Sequence, residues 1–258
     1  MIDISFKKDI ESPKILSAIF EADSFFYGLI DSNNQLAEVK LIENVNLLDA
    51  SSVQLNIPDF HYDKVILTNC GEKFMFFAEM PDIEEVKRYS LFENQKIFID
   101  KLIDKNVYVV HGVDQLWYDQ ILMWFGSFEM IHFSSAISQN YYLKPGKIVH
   151  AHIFNNKLHI YCQESGNFKY YNVFTCHGDK DYLYYLIAAN EELKMNFLSE
   201  TLYLSGLVDQ NSSIYSTIKS YVNNVIFYDS LPFKLLSNDY RHKPHLYFDI
   251  LSSALCVL

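Results

Sequence analysis

Apolar and polar positions alternate along residues 15–43 in a pattern that predicts three short strands. The strands are Ile15–Ala22, Phe25–Ile30 and Leu36–Ile42, with turn residues at Asp23-Ser24 and Ser32-Asn33-Asn34 between them. Because the connections are so short, consecutive strands must run in opposite directions. This stretch therefore predicts an antiparallel meander.

The same pattern returns in the second half of the chain. It predicts strands at Ile148–Phe154, Lys157–Gln163 and Phe168–Thr175, with turns at Asn155-Asn156 and Ser165-Gly166-Asn167. Asn-Asn suits a two-residue hairpin because Asn tolerates positive φ. With this turn, Phe154 pairs with Lys157 and His152 lies opposite His159. On the other face we expect four residues to be buried against helices: Ala151, Ile153, Leu158 and Ile160. The first turns of the two meanders are 133 positions apart, at Asp23 and Asn156, and so are the second turns, at Asn33 and Gly166. Equal offsets at two landmarks indicate a duplicated unit.

Short apolar segments alternate with helical patterns after each meander. After the second we predict a helix at Asp179–Leu193, which Asp179 or Asp181 can cap, a strand at Thr201–Leu204, a helix at Ser212–Val222 and a strand at Val225–Tyr228. After the first we predict a strand at Val107–Val110, a helix at Asp114–Phe125 and a strand at Phe128–Phe133, and Pro244–Leu258 is a last apolar helix. Short apolar strands between helices are typical of a sheet covered on both faces.

The two halves differ in the spacing after the meander, which is 62 residues (45–106) in the first and 25 (176–200) in the second. The longer spacer contains strand-like segments at Val65–Asn69 and Phe74–Ala78 and a helix-like segment at Ile83–Phe92. We therefore predict domains at 1–143 and 144–258, with a small α/β subdomain inserted in the first at about 45–106.

Composition and charge restrict the possible functions. Half of the residues are hydrophobic and 16% are aromatic, which predicts a globular chain. The net charge of −11 argues against nucleic-acid binding, because an acidic surface repels phosphate backbones. None of the four cysteines forms a C-x-x-C pair, the charged first ten residues are no signal peptide, and no run approaches the ~18 apolar residues of a membrane span. These features predict a cytoplasmic protein that does not span a membrane.

Three meandering strands followed by helix–strand–helix–strand, in duplicate, resemble the ribonuclease-H-like repeat of actin, Hsp70 and the sugar kinases. The extra subdomain in the first half resembles the actin-like proteins of bacterial cell division and type IV pilus assembly. Leu202–Gly206 and Pro244–Leu258 resemble their adenosine-side strand and last helix. The chain also resembles an uncharacterised bacterial family with this actin-like ATPase fold. The resemblance implies a duplicated α/β fold of two lobes, each with a five-stranded mixed sheet, and a small inserted subdomain in the first lobe.

The resemblance also implies where a nucleotide would bind, and the expected residues are missing there. The first phosphate turn usually reads Asp-x-Gly, because Gly lets backbone N–H groups approach phosphate. Here it reads Glu21-Ala22-Asp23-Ser24, and the second turn, Phe154-Asn155-Asn156-Lys157, has neither Asp nor Gly. The Gly-Gly pair under the adenosine is reduced to Gly206 in Ser205-Gly206-Leu207-Val208, and a strand-to-helix turn that needs positive φ explains that glycine equally well. We assign no cofactor-binding residue and expect no cofactor.

Other candidate chemistry is weak. His150, His152 and His159 fall on one face of the second hairpin and could bind zinc, but no local carboxylate or Cys completes the set, which favours buried histidines with hydrogen-bond partners. Ser205 lacks the Gly-x-Ser-x-Gly elbow, Cys70-Gly71 is only a dipeptide, and Cys176 and His177 would face opposite ways on a strand. We assign no metal ligand and no catalytic residue.

These observations predict a non-catalytic protein of actin-like fold that binds a protein or peptide and acts as an assembly component. In the pilus and division relatives the region corresponding to the insertion contacts partner proteins, so the resemblance implies a protein partner here too. The alternative is a degenerate actin-like ATPase or phosphotransferase that still binds a nucleotide, through altered contacts, in the cleft between the lobes.

Overall fold

The computed structural model describes residues 5–8, 13–21, 24–43, 61–102, 106–141, 144–236 and 242–257. Its strands are β1 (Phe6–Lys7), β2 (Ile15–Glu21), β3 (Ser24–Ile30), β4 (Gln35–Ile42), β5 (Lys64–Asn69), β6 (Phe74–Phe77), β7 (Gln95–Lys101), β8 (Tyr108–Asp114), β9 (Glu129–His132), β10 (Lys147–Phe154), β11 (Lys157–Glu164), β12 (Asn167–Thr175), β13 (Thr201–Gly206), β14 (Asn224–Phe227) and β15 (Lys234–Leu235). Its α-helices are α1 (Ile83–Val86), α2 (Gln115–Phe125), α3 (Phe133–Asn140), α4 (Asp179–Leu193), α5 (Ser213–Lys219) and α6 (Phe248–Leu255), with 3-10 helices at Ser90–Phe92 and Pro244–Tyr247.

The chain forms two compact units. The N-terminal unit contains Asp3–Asn140, Pro232–His242 and Asp249–Leu258, and the C-terminal unit contains Tyr141–Leu231 and Lys243–Phe248. The domain limit at residue 143 stays a prediction. None of the described helices combines the length and the apolarity needed to cross a bilayer.

The C-terminal unit is built on a five-stranded sheet in the order β12-β11-β10-β13-β14, in which β10, β13 and β14 are parallel. The predicted hairpin register is confirmed, because His152 pairs with His159 and Phe154 with Lys157. Asn155 and Asn156 both adopt positive φ in the two-residue turn. The alternate residues Ala151, Ile153, Leu158 and Ile160 are buried in one core with residues of α4 and α5. The alternation in the sequence therefore identified the helix-covered face correctly.

The main sheet of the N-terminal unit repeats this arrangement. Its central strands run in the order β4-β3-β2-β5-β9, flanked by the short strands β1 and β15, which both pair with β4. As in the other unit, three antiparallel strands are followed by two parallel ones. The prediction of two lobes built on mixed sheets is confirmed. The core of this sheet includes Leu16, Phe25 and Leu67, and the aromatic helix α2 packs against it through Trp117.

The small inserted sheet lies later in the chain than the sequence predicted. Its order is β6-β8-β7, and it follows β5 instead of containing it. Val65–Asn69 was wrongly placed in the insertion, because β5 pairs in parallel with β2. Val107–Val110 was wrongly placed in the main sheet, because β8 pairs antiparallel with β6 and β7. Both segments are short apolar runs, and such a run does not specify which strand will be its partner.

Four elements of the N-terminal unit were missed altogether, namely β7, α3 and the two-residue strands β1 and β15. The α3 sequence, FSSAISQN, holds three Ser residues and an Asn, which favour caps and turns over helix interiors. The helix predicted at Ile83–Phe92 is divided into α1 and the 3-10 helix Ser90–Phe92.

Candidate functional site

Gly206 ends β13 in a conformation that only glycine accommodates there. Its φ is +89°, and a Cβ atom at this position would lie 2.0 Å from the carbonyl oxygen of Ile153 on the neighbouring strand. The interpretation of Gly206 as a turn residue with positive φ is confirmed. The next two N–H groups are also occupied: Leu207 donates to the Ile153 carbonyl at 2.7 Å and Val208 to the Gly206 carbonyl at 2.8 Å.

A backbone hydrogen bond connects the second predicted phosphate turn to the end of β12. The carbonyl of Asn156 accepts a hydrogen bond of 2.7 Å from the N–H of Cys176, just past the end of β12. For the first turn the structure shows that Glu21 pairs with Ser24, while Ala22 and Asp23 lie outside the described residues.

The helices of the C-terminal unit are capped by their own sequence. The carboxylate of Asp181 accepts hydrogen bonds from the N–H groups of His177 and Gly178, at 2.7 and 3.0 Å. Asp181, one of the two predicted capping residues, therefore caps the start of α4. At α5 the hydroxyl of Ser212 accepts from the N–H of Tyr215 at 3.1 Å. These capping hydrogen bonds occupy the N–H groups of His177 and Gly178, just before α4, and of Tyr215 in the first turn of α5.

The three hairpin histidines are buried and hydrogen-bonded. Tyr141 Oη lies 2.6 Å from His150 Nδ1, His150 Nε2 lies 2.6 Å from Ser205 Oγ, and Ser205 Oγ lies 2.8 Å from His152 Nδ1. One consistent arrangement has each group donate to the next along this series. His159 Nδ1 lies 2.9 Å from Tyr171 Oη. Burial lowers the pKa of His150 well below its ordinary value. The geometry is that of buried, hydrogen-bonded core histidines.

The candidate nucleophiles are enclosed in the protein. Ser205 is fully buried between two histidines, and the ring of Phe248 lies 4.4 Å from that of His150. Cys70 and Cys176 are buried, and burial raises the pKa of Cys176 to about 12, which suppresses its thiolate. His177 is exposed while Cys176 is not, so the two side chains do not form a pair. In the described part of the chain, no group of three or more His, Cys, Asp or Glu is placed to hold a metal ion.

A buried polar network in the N-terminal unit was not found from the sequence. The carboxylate of Asp100, on β7, accepts from the N–H of His132 at 2.6 Å and from the Ser135 hydroxyl at 2.9 Å. Its other oxygen lies 3.3 Å from His111 Nε2. Asn69 Nδ2 lies 3.1 Å from Nδ1, the other ring nitrogen of His111. The network attaches the inserted sheet to β9 and α3.

The inserted sheet also carries an open pocket of about 390 Å³, which we call the β6–α1 pocket. It forms where β6 ends and the chain turns into α1, and Asp82 caps that helix by accepting from the N–H of Glu84 at 2.9 Å. The pocket is lined by residues from the end of β6, the turn and α1: Phe77, Ala78, Glu79, Met80, Pro81, Asp82, Glu85, Val86 and Tyr89. Three of these side chains are carboxylates, and none is Lys or Arg.

The repeated sheet order, three antiparallel strands and then two parallel ones in each unit, defines the class of the actin-like ATPase fold. The chain belongs to the family described as "Protein of unknown function (DUF3822)", whose model matches residues 3–225.

Solved structures support the fold. A protein of Bacteroides thetaiotaomicron VPI-5482 with an actin-like ATPase fold and unknown function is 17% identical, with a TM-score of 0.72 over 96% of this chain and 99% of that one. A chain of the PilM-PilN type IV pilus biogenesis complex is 10% identical, with a TM-score of 0.62 over 96% and 98%. The ethanolamine utilization protein EutJ from Carboxydothermus hydrogenoformans is 8% identical, with a TM-score of 0.50 over 98% and 92%. No curated protein matches the chain in sequence.

Proposed function

We propose that this chain is a non-catalytic protein of actin-like fold that works in the cytoplasm as a protein- or peptide-binding component. The observation that carries the proposal is that the backbone N–H groups directly after β13 already have hydrogen-bond acceptors within the protein. The N–H groups of Leu207 and Val208 already donate to protein carbonyls, and Gly206 is accounted for by its contact with Ile153. A triphosphate needs backbone N–H groups, Mg²⁺ or Lys and Arg side chains to offset its charge.

Two further observations support a protein ligand over an anionic one. The net charge of −11 repels nucleotides and nucleic acids at long range. The β6–α1 pocket combines exposed apolar side chains with carboxylates, a lining that suits a peptide better than a phosphate. Cross-linking in the native cell, followed by mass spectrometry, identifies the partner, and we expect a protein that is cross-linked to the inserted sheet.

The absence of nucleotide binding is the first testable prediction. Isothermal titration calorimetry with magnesium and ATP should detect no binding tighter than about 1 mM, which corresponds to about −4 kcal/mol, because the donors that a phosphate needs are occupied. A phosphate-release assay should detect no hydrolysis.

The opposite result would support a degenerate actin-like ATPase or phosphotransferase. It would be a micromolar dissociation constant that is weakened by Lys157→Gln, at the second turn, but not by Lys169→Gln. Lys169 is an exposed residue on β12, the neighbouring strand. Each variant removes one positive charge, so both change the net charge equally. Gly206 is unsuitable for this test, because a side chain there would collide with Ile153.

A further inference from the structure

The β6–α1 pocket exposes large apolar side chains next to one another. Met80 is 62% exposed and Tyr89 is 39% exposed, although both line the same pocket. Val86 also lines it and is buried in the small core with Phe92 and Val110, so the pocket is supported by packed structure. Adjacent exposed apolar side chains mark contact surfaces, and Met adapts its shape to different partners.

The charged side chains that line the pocket all have the same sign. Glu79, Asp82 and Glu85 line the pocket and are exposed. Among the described residues, neither Glu79 nor Glu85 has an ion-pair partner. The nearby Lys87 is paired with Glu84 at 2.6 Å, which neutralises both. The pocket therefore presents a negative potential that nothing within its lining offsets, and it attracts cations.

We propose that the β6–α1 pocket binds a basic segment of a partner protein, with an apolar side chain of the segment between Met80 and Tyr89 and flanking Lys or Arg side chains against Glu79 and Glu85. This inference rests on the proposed function and adds the chemistry of the partner. The apolar contacts supply affinity and the carboxylates select the sign of charge. The same carboxylates repel phosphopeptides and nucleic acids.

The chain itself is a poor source of such a segment. It has 21 basic residues against 32 acidic ones, and no more than two Lys or Arg residues are adjacent anywhere in it. The occupant is therefore a different protein.

Synthetic peptides test the inference on the full chain. Three fluorescein-labelled peptides of equal length are compared by fluorescence anisotropy: one of Lys and Leu, one of Lys and Ser, and one of Glu and Leu. We expect the Lys/Leu peptide to bind more tightly than the other two, because only it offers both the cations and the apolar side chain. The binding should weaken with added salt.

Pocket variants locate the binding. Glu79→Lys with Glu85→Lys should weaken the Lys/Leu peptide by about tenfold or more, because two attractive contacts become repulsive. Met80→Ser should weaken it without changing the charge. Asp82 is left in place because it caps α1. The matched control is Glu191→Lys with Glu192→Lys, which makes the same change in net charge on exposed positions of α4. Circular dichroism establishes that each variant is folded.

Three results would overturn the inference. The first is a Lys/Leu peptide that fails to bind, and the second is a control pair that weakens the peptide as much as the pocket pair does. The third is a cross-linked partner that is still captured by the Glu79→Lys, Glu85→Lys variant, which would leave the proposed function standing and move the binding site elsewhere. Micromolar ATP binding would instead contradict the proposed function itself.

Discussion

At Gly206 the α-carbon lies so close to the backbone of Ile153 that a single methyl group has no room. The Cβ that any other residue brings would meet the carbonyl oxygen at 2.0 Å and the carbonyl carbon at 2.8 Å. These are backbone atoms of the neighbouring strand, so they cannot rotate away as the end of a side chain can. A glycine in a strand often marks such a close approach of two backbones. Gly206 is therefore needed for the fold of the C-terminal unit, whether or not a ligand binds near it.

We predict that Gly206→Ala destabilises the protein on the order of 3 kcal/mol or more, because it combines a steric collision with a positive φ. Gly146→Ala is the control. Gly146 has a similar φ of +81°, but a Cβ there would meet nothing within 4 Å, so it isolates the conformational cost of about 1 kcal/mol. The measurement is urea denaturation. Equal losses for the two variants would mean that the close contact is not what requires glycine at position 206.

At the scale of elements, one carboxylate connects the inserted sheet to β9 and α3. Asp100 of β7 accepts hydrogen bonds from β9 and α3 and faces His111 of β8. Burial by itself would raise its pKa, but the hydrogen bond and charge interaction with His111, with the donors of His132 and Ser135, hold the pKa below its ordinary value. The ionised carboxylate is thus more stable in the folded than in the unfolded state.

We predict that Asp100→Asn lowers the free energy of unfolding at pH 7 by about 1–3 kcal/mol, because a buried charge-assisted network loses its acceptor. A lowered folded-state pKa gives stability that is present above the unfolded pKa of about 4 and is lost as the pH falls through the folded pKa. The difference between wild type and variant should therefore shrink below about pH 4.

The control for Asp100 is Asp119→Asn, the same chemical change at an exposed position of α2. Burial, followed by the charge of His111, lowers the pKa of His132 to about 3. Wild type and the exposed control therefore both lose stability on acidification, and only the difference between curves reports Asp100. A difference that stays constant from pH 7 to pH 3 would contradict this account.

At the scale of the whole molecule, the end of the chain belongs with its beginning. Asp249–Leu258 groups with the N-terminal unit, although it follows the strands of the C-terminal unit in sequence. The Ser17 hydroxyl donates to the Ile250 carbonyl at 2.7 Å, and Thr68 Oγ1 lies 2.5 Å from Ser253 Oγ. A Cβ on Gly28 would lie 2.7 Å from Ile250 Cγ2, so this side chain packs directly on the backbone of β3.

We predict that a chain ending at Phe248 loses hydrogen-exchange protection in β2, β3 and β5, while β10–β14 keep theirs. The fully buried side chains of Ile250 and Leu251 are removed, at about 1.5–3 kcal/mol each. Hydrogen exchange with mass spectrometry measures the two units separately. A chain ending at Val257 retains these side chains and the Val257 carbonyl that accepts from Lys64, and it should stay close to wild type. Loss of protection first in β10–β14 would show that the last segment stabilises the other unit.

Much of the fold could be predicted because its information is local. Turn residues such as Asn155-Asn156, together with side chains that alternate between apolar and polar along each strand, determined both meanders. They also determined the pairing of His152 with His159 and the buried face that holds Ile153. Alternating side chains assign a strand's face, and a short turn leaves its two strands one pairing. The candidate site could be predicted only in part. The three histidines were correctly favoured as buried core residues, and the assignment of the two hairpin turns as altered phosphate turns stays a prediction.

The amino-acid sequence by itself determined the duplicated meanders, their turns and the acidic character of the protein. Only the tertiary structure decided that Lys64–Asn69 joins the main sheet and Tyr108–Asp114 the inserted one, that Ile153 leaves no room beside Gly206, and that Asp100 meets His132. Only the tertiary structure also showed which residues line the β6–α1 pocket. The reason is physical: periodicity and turn chemistry act between residues that are near in sequence, whereas parallel strand partners, close backbone contacts and buried polar networks join residues that come together only when the chain has folded.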